Sequence, residues 1–456
     1  MDLRLNLLAM IAVWLTLPSA PTACAGNSRE RPNFLLIVVD NLGYGDLGCY
    51  GNALAKTPNI DRLAAEGVRC TDFYIASPSC SPSRGAILTG RHPLRNGLNH
   101  QLSAEENARG EGLPRTERII PQYLAPLGYV SGAFGKWNVG FAPGSRPMDR
   151  GFDEFLGHRS GNIHYFKHVY HGANDLRRGN EPVDRRGQYS TDLFANAAID
   201  FIGRHKDRPQ FVYLAFNAVH FVGPNNVEAN ETFEWQVPEE YLAKFGSRAD
   251  EADQKKRFLA VLAALDDAIG RVLATLDNLG LRKKTIVVLI SDNGAFMLRG
   301  RGLEVQLNEP LRDGGVTTYE GGIRVPAIVR WPGQIQPGRD CPEMLSSLDM
   351  LPLTVGAAGG ELPGNNFLDG RDPIKTLAGK APSPHDAFFW VWNQGRRFQW
   401  NAMRQGKYKL VRPADSQPWE LYDLVADVGE TRNLAPEVPE LVKELTEKFA
   451  AWREAQ

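Results

Sequence analysis

The feature that most constrains the fold is a series of short apolar runs, most of them closed by polar residues. The runs are Phe34 to Val39, Tyr129 to Phe134, Phe211 to Phe216, Ile286 to Ile290 and Ala327 to Val329. Unbroken apolar runs of this length predict parallel strands buried on both faces. Helical patterns lie between them, at Ile60 to Glu66, Leu193 to Ile202 and Phe258 to Leu279. The last is the clearest, with Phe258, Leu262, Leu265, Ile269, Val272 and Leu276 recurring at three or four residues. Strands alternating with helices predict an α/β fold, a large mixed and mostly parallel sheet sandwiched by helices.

Four of the runs lead directly into polar chemistry. Asp40 and Asn41 follow the first, Lys136 the second, Asn217 and His220 the third, and Asp292 and Asn293 the fourth. Ligands of open α/β sheets bind beyond the carboxyl ends of the strands, so these residues are expected to meet at one sheet edge. By itself, an Asp-Asn pair after a strand is also a common turn former.

Residues 30–375 are expected to form this main domain, and a Gly/Pro-rich stretch from Gly356 to Pro384 looks like its exit. Beyond it, Phe388 to Trp392, Phe398 to Met403, Tyr408 to Val411 and Leu421-Tyr422 predict antiparallel strands in meander order. Leu441, Leu445, Phe449 and Trp452 then mark one face of a terminal helix. Residues 376–456 thus read as a small α+β domain.

The first 25 residues read as a signal peptide: Arg4, an apolar run from Leu7 to Leu17, and Ala23-Cys24-Ala25 as a cleavage site. A lipoprotein signal using Cys24 is the alternative, and Pro21 fits it badly. No later apolar stretch approaches ~18 residues, so no membrane span is expected. The host decides whether export leads to a periplasmic, secreted or lysosomal address. Asn230-Glu231-Thr232 is a glycosylation acceptor only in a eukaryote. Lys plus Arg is 52 against 53 Asp plus Glu, which argues against a polybasic nucleic-acid binder. Of the five cysteines no pair has zinc-ligand spacing, and a Cys49–Cys70 pairing stays open.

One cysteine stands in a distinctive setting, Ser79-Cys80-Ser81-Pro82-Ser83-Arg84-Gly85 followed by Ala86-Ile87-Leu88-Thr89-Gly90. Pro82 suits a helix's first turn, so Cys80 falls just ahead of a helix N-terminus, where free N–H groups favour anions. Arg84 adds a cation one turn on. This stretch resembles the signature of type I sulfatases, in the alkaline-phosphatase-like superfamily. Further motifs follow in the family's order: Pro32-Asn33, Gly43-Tyr44-Gly45-Asp46, Thr57-Pro58-Asn59-Ile60-Asp61-Arg62-Leu63, Gly135-Lys136-Trp137, Gly151-Phe152-Asp153, Ser291-Asp292-Asn293-Gly294, Glu320-Gly321-Gly322-Ile323-Arg324-Val325-Pro326 and Glu420-Leu421-Tyr422-Asp423-Leu424.

The resemblance implies that Cys80 is oxidised by a formylglycine-generating enzyme to formylglycine, whose hydrated form attacks the sulfur of a sulfate ester. It implies a calcium ion on Asp40, Asn41, Asp292, Asn293 and the oxygen at position 80. It gives Arg84 and Lys136 the modified side chain and the sulfate to hold, and His220 the sulfate and leaving oxygen. Ser160, His164 and Arg312 are further expected substrate contacts. His158, His164, His168 and His171 crowd one stretch, with a zinc site, a substrate loop or a plain surface loop as its readings.

Three residues depart from the family pattern: Asn41 for a second Asp, Asn138 for a His, and Gly315 for a Lys. Arg312 is a candidate to replace the missing Lys, and His220 to serve both proton transfers. The implied function is hydrolysis of sulfate esters of carbohydrates or aryl alcohols. Gln236 to Leu242 and the layout look most like arylsulfatase B types, which act on sulfated amino sugars. The alternatives are a sulfatase-like binding protein and a phosphate or phosphonate ester hydrolase on the same scaffold.

Overall fold

A computed structural model describes residues 31–227, 234–297, 304–364, 367–394 and 398–456. The signal-peptide reading and the acceptor at Asn230 fall outside the described residues. The residues from Arg31 to Gln456 form one unit.

Among the described residues the main sheet has ten strands. In chain order they are β1 Asn33–Val39, β2 Val68–Cys70, β3 Val130–Lys136, β4 Glu154–His158, β5 Leu176–Arg178, β6 Glu181–Pro182, β7 Gln210–Ala215, β8 Thr285–Ser291, β9 Ala327–Arg330 and β10 Arg339–Cys341. Across the sheet they run β10-β2-β9-β8-β1-β7-β3-β4-β5-β6. The central five, β8-β1-β7-β3-β4, are mutually parallel, with Val38 opposite both Ala215 and Ile290.

The unbroken apolar strands follow from cover on both faces. Leu35, Ile37 and Val39 of β1 join one core with helices α1 (Pro58–Ala65), α3 (Ser190–Arg204) and α4 (Gln254–Asn278). Phe34, Leu36 and Val38 join the opposite core, with Ile87 and Leu88 of α2 (Cys80–Thr89). At ~1.5–3 kcal/mol for each fully buried large apolar side chain, the two faces hold the strand from both sides.

One strand differs from expectation. Ala327 to Val329 was expected to be parallel, but β9 runs antiparallel to β8. Between them the chain, where described, carries only the short helix Glu320–Ile323, with no long crossover helix to return it to the far edge of the sheet. The chain turns over the carboxyl edge and re-enters from there.

The C-terminal sheet is an antiparallel meander of β11 Ala387–Gln394, β12 Phe398–Gln405, β13 Tyr408–Arg412 and β14 Glu420–Asp423. The terminal helix α5 (Pro439–Glu454) buries Leu445 and Phe449 against Val391, Met403, Leu410 and Leu421. The other sheet face packs on the main domain, where Trp390 Nε1 donates to the carbonyl of Ile75 at 2.7 Å. Among the described residues no helix is long and apolar enough to cross a membrane.

Candidate active site

The parallel strands bring their polar ends together. Asp40 and Asn41 extend β1, and Asp292 and Asn293 extend the neighbouring β8, where Asn41 N donates to Asp292 Oδ1 at 3.1 Å. Beyond β7 the backbone keeps pairing with β1, through Asp40 N to the Ala218 carbonyl and Val219 N to the Asp40 carbonyl, both 3.0 Å. Tyr165 Oη donates to the His220 carbonyl at 2.8 Å, and these bonds fix His220 beside the end of β1.

Cys80 is the first residue of α2, one step further in than expected, and Ser79 is the cap. Its thiol lies 3.6 Å from Asp40 Oδ1 and 3.9 Å from Asn41 Oδ1. Single ligand atoms of Asp40, Cys80 and Asp292 all lie within 4.8 Å of one another. Arg84, one helical turn behind Cys80, donates through Nε to Asp292 Oδ2 at 2.8 Å and through Nη1 to the Lys136 carbonyl at 2.9 Å. Lys136 Nζ reaches Asp40 Oδ2 at 2.7 Å. All four charged side chains are fully buried.

Burial raises the Asp40 carboxyl to about 7, with Asp292 adding to the rise and Lys136 and Arg84 opposing it. At Asp292 burial also acts upward, but Arg84 and Lys136 outweigh it and hold the group below the usual carboxylate range. Each carboxylate has its own cation, Lys136 at Asp40 and Arg84 at Asp292. Asn293 Nδ2 donates to Asn41 Oδ1 at 2.6 Å, while Asn293 Oδ1 and Asn41 Nδ2 are buried without hydrogen-bond partners. Two carboxylates and two amide oxygens, one of them without a hydrogen-bond partner, fit a hard divalent cation.

Burial pushes the Cys80 thiol up, with Asp292 and Asp40 adding to the shift, so as a thiol it is a poor nucleophile at neutral pH. Burial lowers His220 to about 3, and its Nδ1 lies 2.5 Å from the Phe221 carbonyl. The tautomer that satisfies this contact carries its hydrogen on Nδ1. Asn138, in the left-handed region at φ 54°, is fully buried, and neither amide atom has a hydrogen-bond partner.

Three expected contacts have other duties. Arg312 donates to Tyr422 Oη and the Glu430 carbonyl, both at 2.9 Å, and stacks 3.8 Å over Tyr319, so its guanidinium is engaged by these three residues. His164 Nδ1 accepts from the backbone of Phe166 and Lys167, capping its own turn. Ser160 Oγ donates to the Asn162 carbonyl. The spacing of His164 and His168 suited a helix, but the segment leads into a hairpin of residues 169–170 and 173–174. Sequence reasoning missed Gln101, whose Oε1 accepts from Ser79 Oγ at 2.7 Å and Ser81 N at 3.1 Å, clamping both neighbours of Cys80. It also missed Gln306, whose Nε2 donates to the Asn41 carbonyl at 2.7 Å. Neither glutamine stands in a motif, so no local signal marks them.

The chain that carries this buried acid–amide cluster is similar to hydrolases of the alkaline-phosphatase-like superfamily. The family model described as Sulfatase matches residues 32–360, and the one described as N-sulphoglucosamine sulphohydrolase, C-terminal, matches residues 316–455. The chain belongs to the type I sulfatase family, and its enzyme class is sulfuric ester hydrolase. It is 34% identical over 436 residues to N-acetylgalactosamine-6-sulfatase of Canis lupus familiaris, covering 86% of this chain and 77% of that protein. It is 34% identical over 480 residues to arylsulfatase A of Homo sapiens, covering 92% and 88%. The solved structure of Ps i-CgsB in complex with k-i-k-neocarrahexaose shares the fold with a TM-score of 0.82 and 29% identity, over 92% of each chain. The phosphonate monoester hydrolase of Agrobacterium radiobacter, at TM-score 0.65 and 21% identity over 93% and 96%, is alike in fold alone.

Proposed function

We propose that this chain is an exported hydrolase of sulfate esters of carbohydrates, working through formylglycine at position 80 beside a calcium ion. The observation that carries the reading is the meeting of Asp40, Cys80 and Asp292 within 4.8 Å, backed by Arg84. Cys80 is only 4% exposed, so its oxidation by a formylglycine-generating enzyme precedes closure of the fold. The modified residue supplies an oxygen nucleophile that is regenerated at each turnover. Asp40, Asn41, Asp292 and Asn293 would hold the cation, which supplies polarisation of the sulfate oxygens.

The chain's own residues do the remaining work. Arg84 steadies Asp292, and with Lys136 it sets a positive field at position 80 and the sulfate. His220 is neutral in the free site with its hydrogen on Nδ1, and a proton taken up at Nε2 would make it a donor to the leaving oxygen. Gly315 leaves the site one cation short of the family pattern, which favours a monoanionic sulfate ester over a phosphate dianion. A sulfated saccharide is supported by the names of the relatives: an N-acetylgalactosamine-6-sulfatase and a protein solved with a neocarrahexaose.

The test is release of inorganic sulfate from sulfated galactose and N-acetylgalactosamine saccharides, with calcium or with chelator. Turnover that needs calcium and exceeds that of the matching phosphate esters is expected. A protein carrying the aldehyde at residue 80 yet releasing no sulfate from saccharide or aryl sulfates would contradict the proposal.

A further inference from the structure

Gly315 leaves no opening where the resemblance expects a lysine. A Cβ built there would lie 2.5 Å from Phe296 Cδ1, 2.6 Å from its Cε1 and 2.7 Å from the Gly294 carbonyl oxygen. The ring of Phe296 thus fills the space that a side chain at 315 would need. This ring stands edge-on to His220 at 5.9 Å between centroids and to Phe221 at 6.4 Å. Phe221 in turn lies 4.6 Å from His220 and is backed at 6.3 Å by Trp235, which is fully buried. Phe221 and Phe296 are both half-buried, unlike Trp235 behind them.

Displacement at sulfur is in line: the nucleophile arrives from residue 80 and the alcohol oxygen departs on the opposite side. His220 meets that oxygen, so the rings that touch His220 border the departing alcohol. The structure assigns Phe296 and Phe221 as the subsite for the leaving sugar, an aromatic wall that receives the C–H face of a pyranose where a lysine would have offered charge. The assignment rests on the sulfatase reading above and deepens it: specificity on the leaving-group side comes from ring contact, while sulfate recognition stays with Lys136, His220 and the cation site.

The test compares a saccharide that uses the wall with an ion that does not. The saccharide is whichever of neocarrahexaose and N-acetylgalactosamine 6-sulfate the wild type turns over, and the ion is inorganic sulfate as a competitive inhibitor. Phe296→Ala is expected to raise KM for the saccharide about 10-fold, with kcat within about 3-fold and the inhibition constant of sulfate within about 2-fold. Phe296→Leu keeps the bulk over Gly315 without a ring and is expected to raise KM by about 3-fold, while Phe296→Tyr keeps the wild-type KM. If Phe296→Ala does not fold, the Leu and Tyr variants carry the comparison alone. A KM for Phe296→Leu equal to that of the wild type, or a sulfate inhibition constant that rises in step with KM, overturns the assignment while leaving the sulfatase reading in place. A wild type that cleaves no sulfate ester at all overturns both.

Discussion

Two clusters of buried charge lie in this protein, and they are finished differently. At the sheet edge Asp40 and Asp292 face Arg84 and Lys136, two anions against two cations. Under the C-terminal sheet Asp72, Glu320 and Glu430 face Arg324, Arg404 and Lys409, three against three. The second cluster is closed on every side. Lys409 Nζ lies 2.8 Å from Glu320 and 3.1 Å from Glu430, Tyr74 Oη donates to Glu320 Oε2 at 2.6 Å, and Glu430 Oε2 accepts from Glu320 N at 2.7 Å. The first leaves Asn41 Nδ2, Asn293 Oδ1 and both amide atoms of Asn138 without hydrogen-bond partners. Charge balance is the same in both, so balance does not separate a structural cluster from a reactive one. Unmet polar atoms do, because they mark what a cation and a substrate would complete.

The comparison breaks first at Cys80. Replacing it by Ala is expected to lower sulfate release by at least about 10⁴-fold, read as initial rate, with little change in melting temperature. A collapse in stability instead would make the sheet-edge cluster structural after all. The reverse holds for Lys409→Met, which takes from Glu430 the cation it is paired with and leaves Glu320 with Arg324. It is expected to cost about 3–5 kcal/mol in denaturant unfolding while kcat of the folded fraction stays at the wild-type value. Calcium sharpens the contrast. At about 100 times its Kd it should add about 2.7 kcal/mol to the wild type in thermal unfolding, and nothing to Asp292→Asn.

The smallest effect is in pH. Burial lifts Glu430 to about 7, with Glu320 adding to the rise, so its stabilising contribution is complete below about 4.5 and fades as pH climbs through 7. Glu320 behaves oppositely: burial acts upward, but Lys409, Arg324 and Arg404 overcome it and hold the group at about 2. Its contribution is present above about 4.5 and is lost on acidification toward 2. Glu430→Gln is expected to flatten the stability profile between pH 5 and 7 by on the order of 1 kcal/mol and leave the acid limb alone. A profile unchanged by the substitution would place the titration elsewhere.

The strands were legible because parallel strands covered on both faces must be apolar throughout, and the polar residues that follow Val39 and Ile290 stand out against them. The direction of β9 was not legible, since an apolar run carries no polarity and only the route of the connection sets it. The site residues Asp40, Asn41, Cys80, Arg84, Lys136, His220, Asp292 and Asn293 were marked by motif and position, and the structure gathers them at one edge. Arg312 misled because its charge pointed to an anion, while the partners that claim it, Tyr422 and Glu430, lie in a region about 110 residues away in sequence. Phe296 was silent for a related reason: its place depends on the missing side chain at Gly315, a relation that exists only once the chain has folded.

The central claim is that residue 80 acts as an oxidised side chain beside Asp40 and Asp292. The direct measurement is the mass of the peptide containing residue 80, from protein made in its native host. Loss of the sulfur, with an aldehyde in its place, is the expected result. An intact thiol throughout a preparation that releases sulfate from saccharides would contradict it.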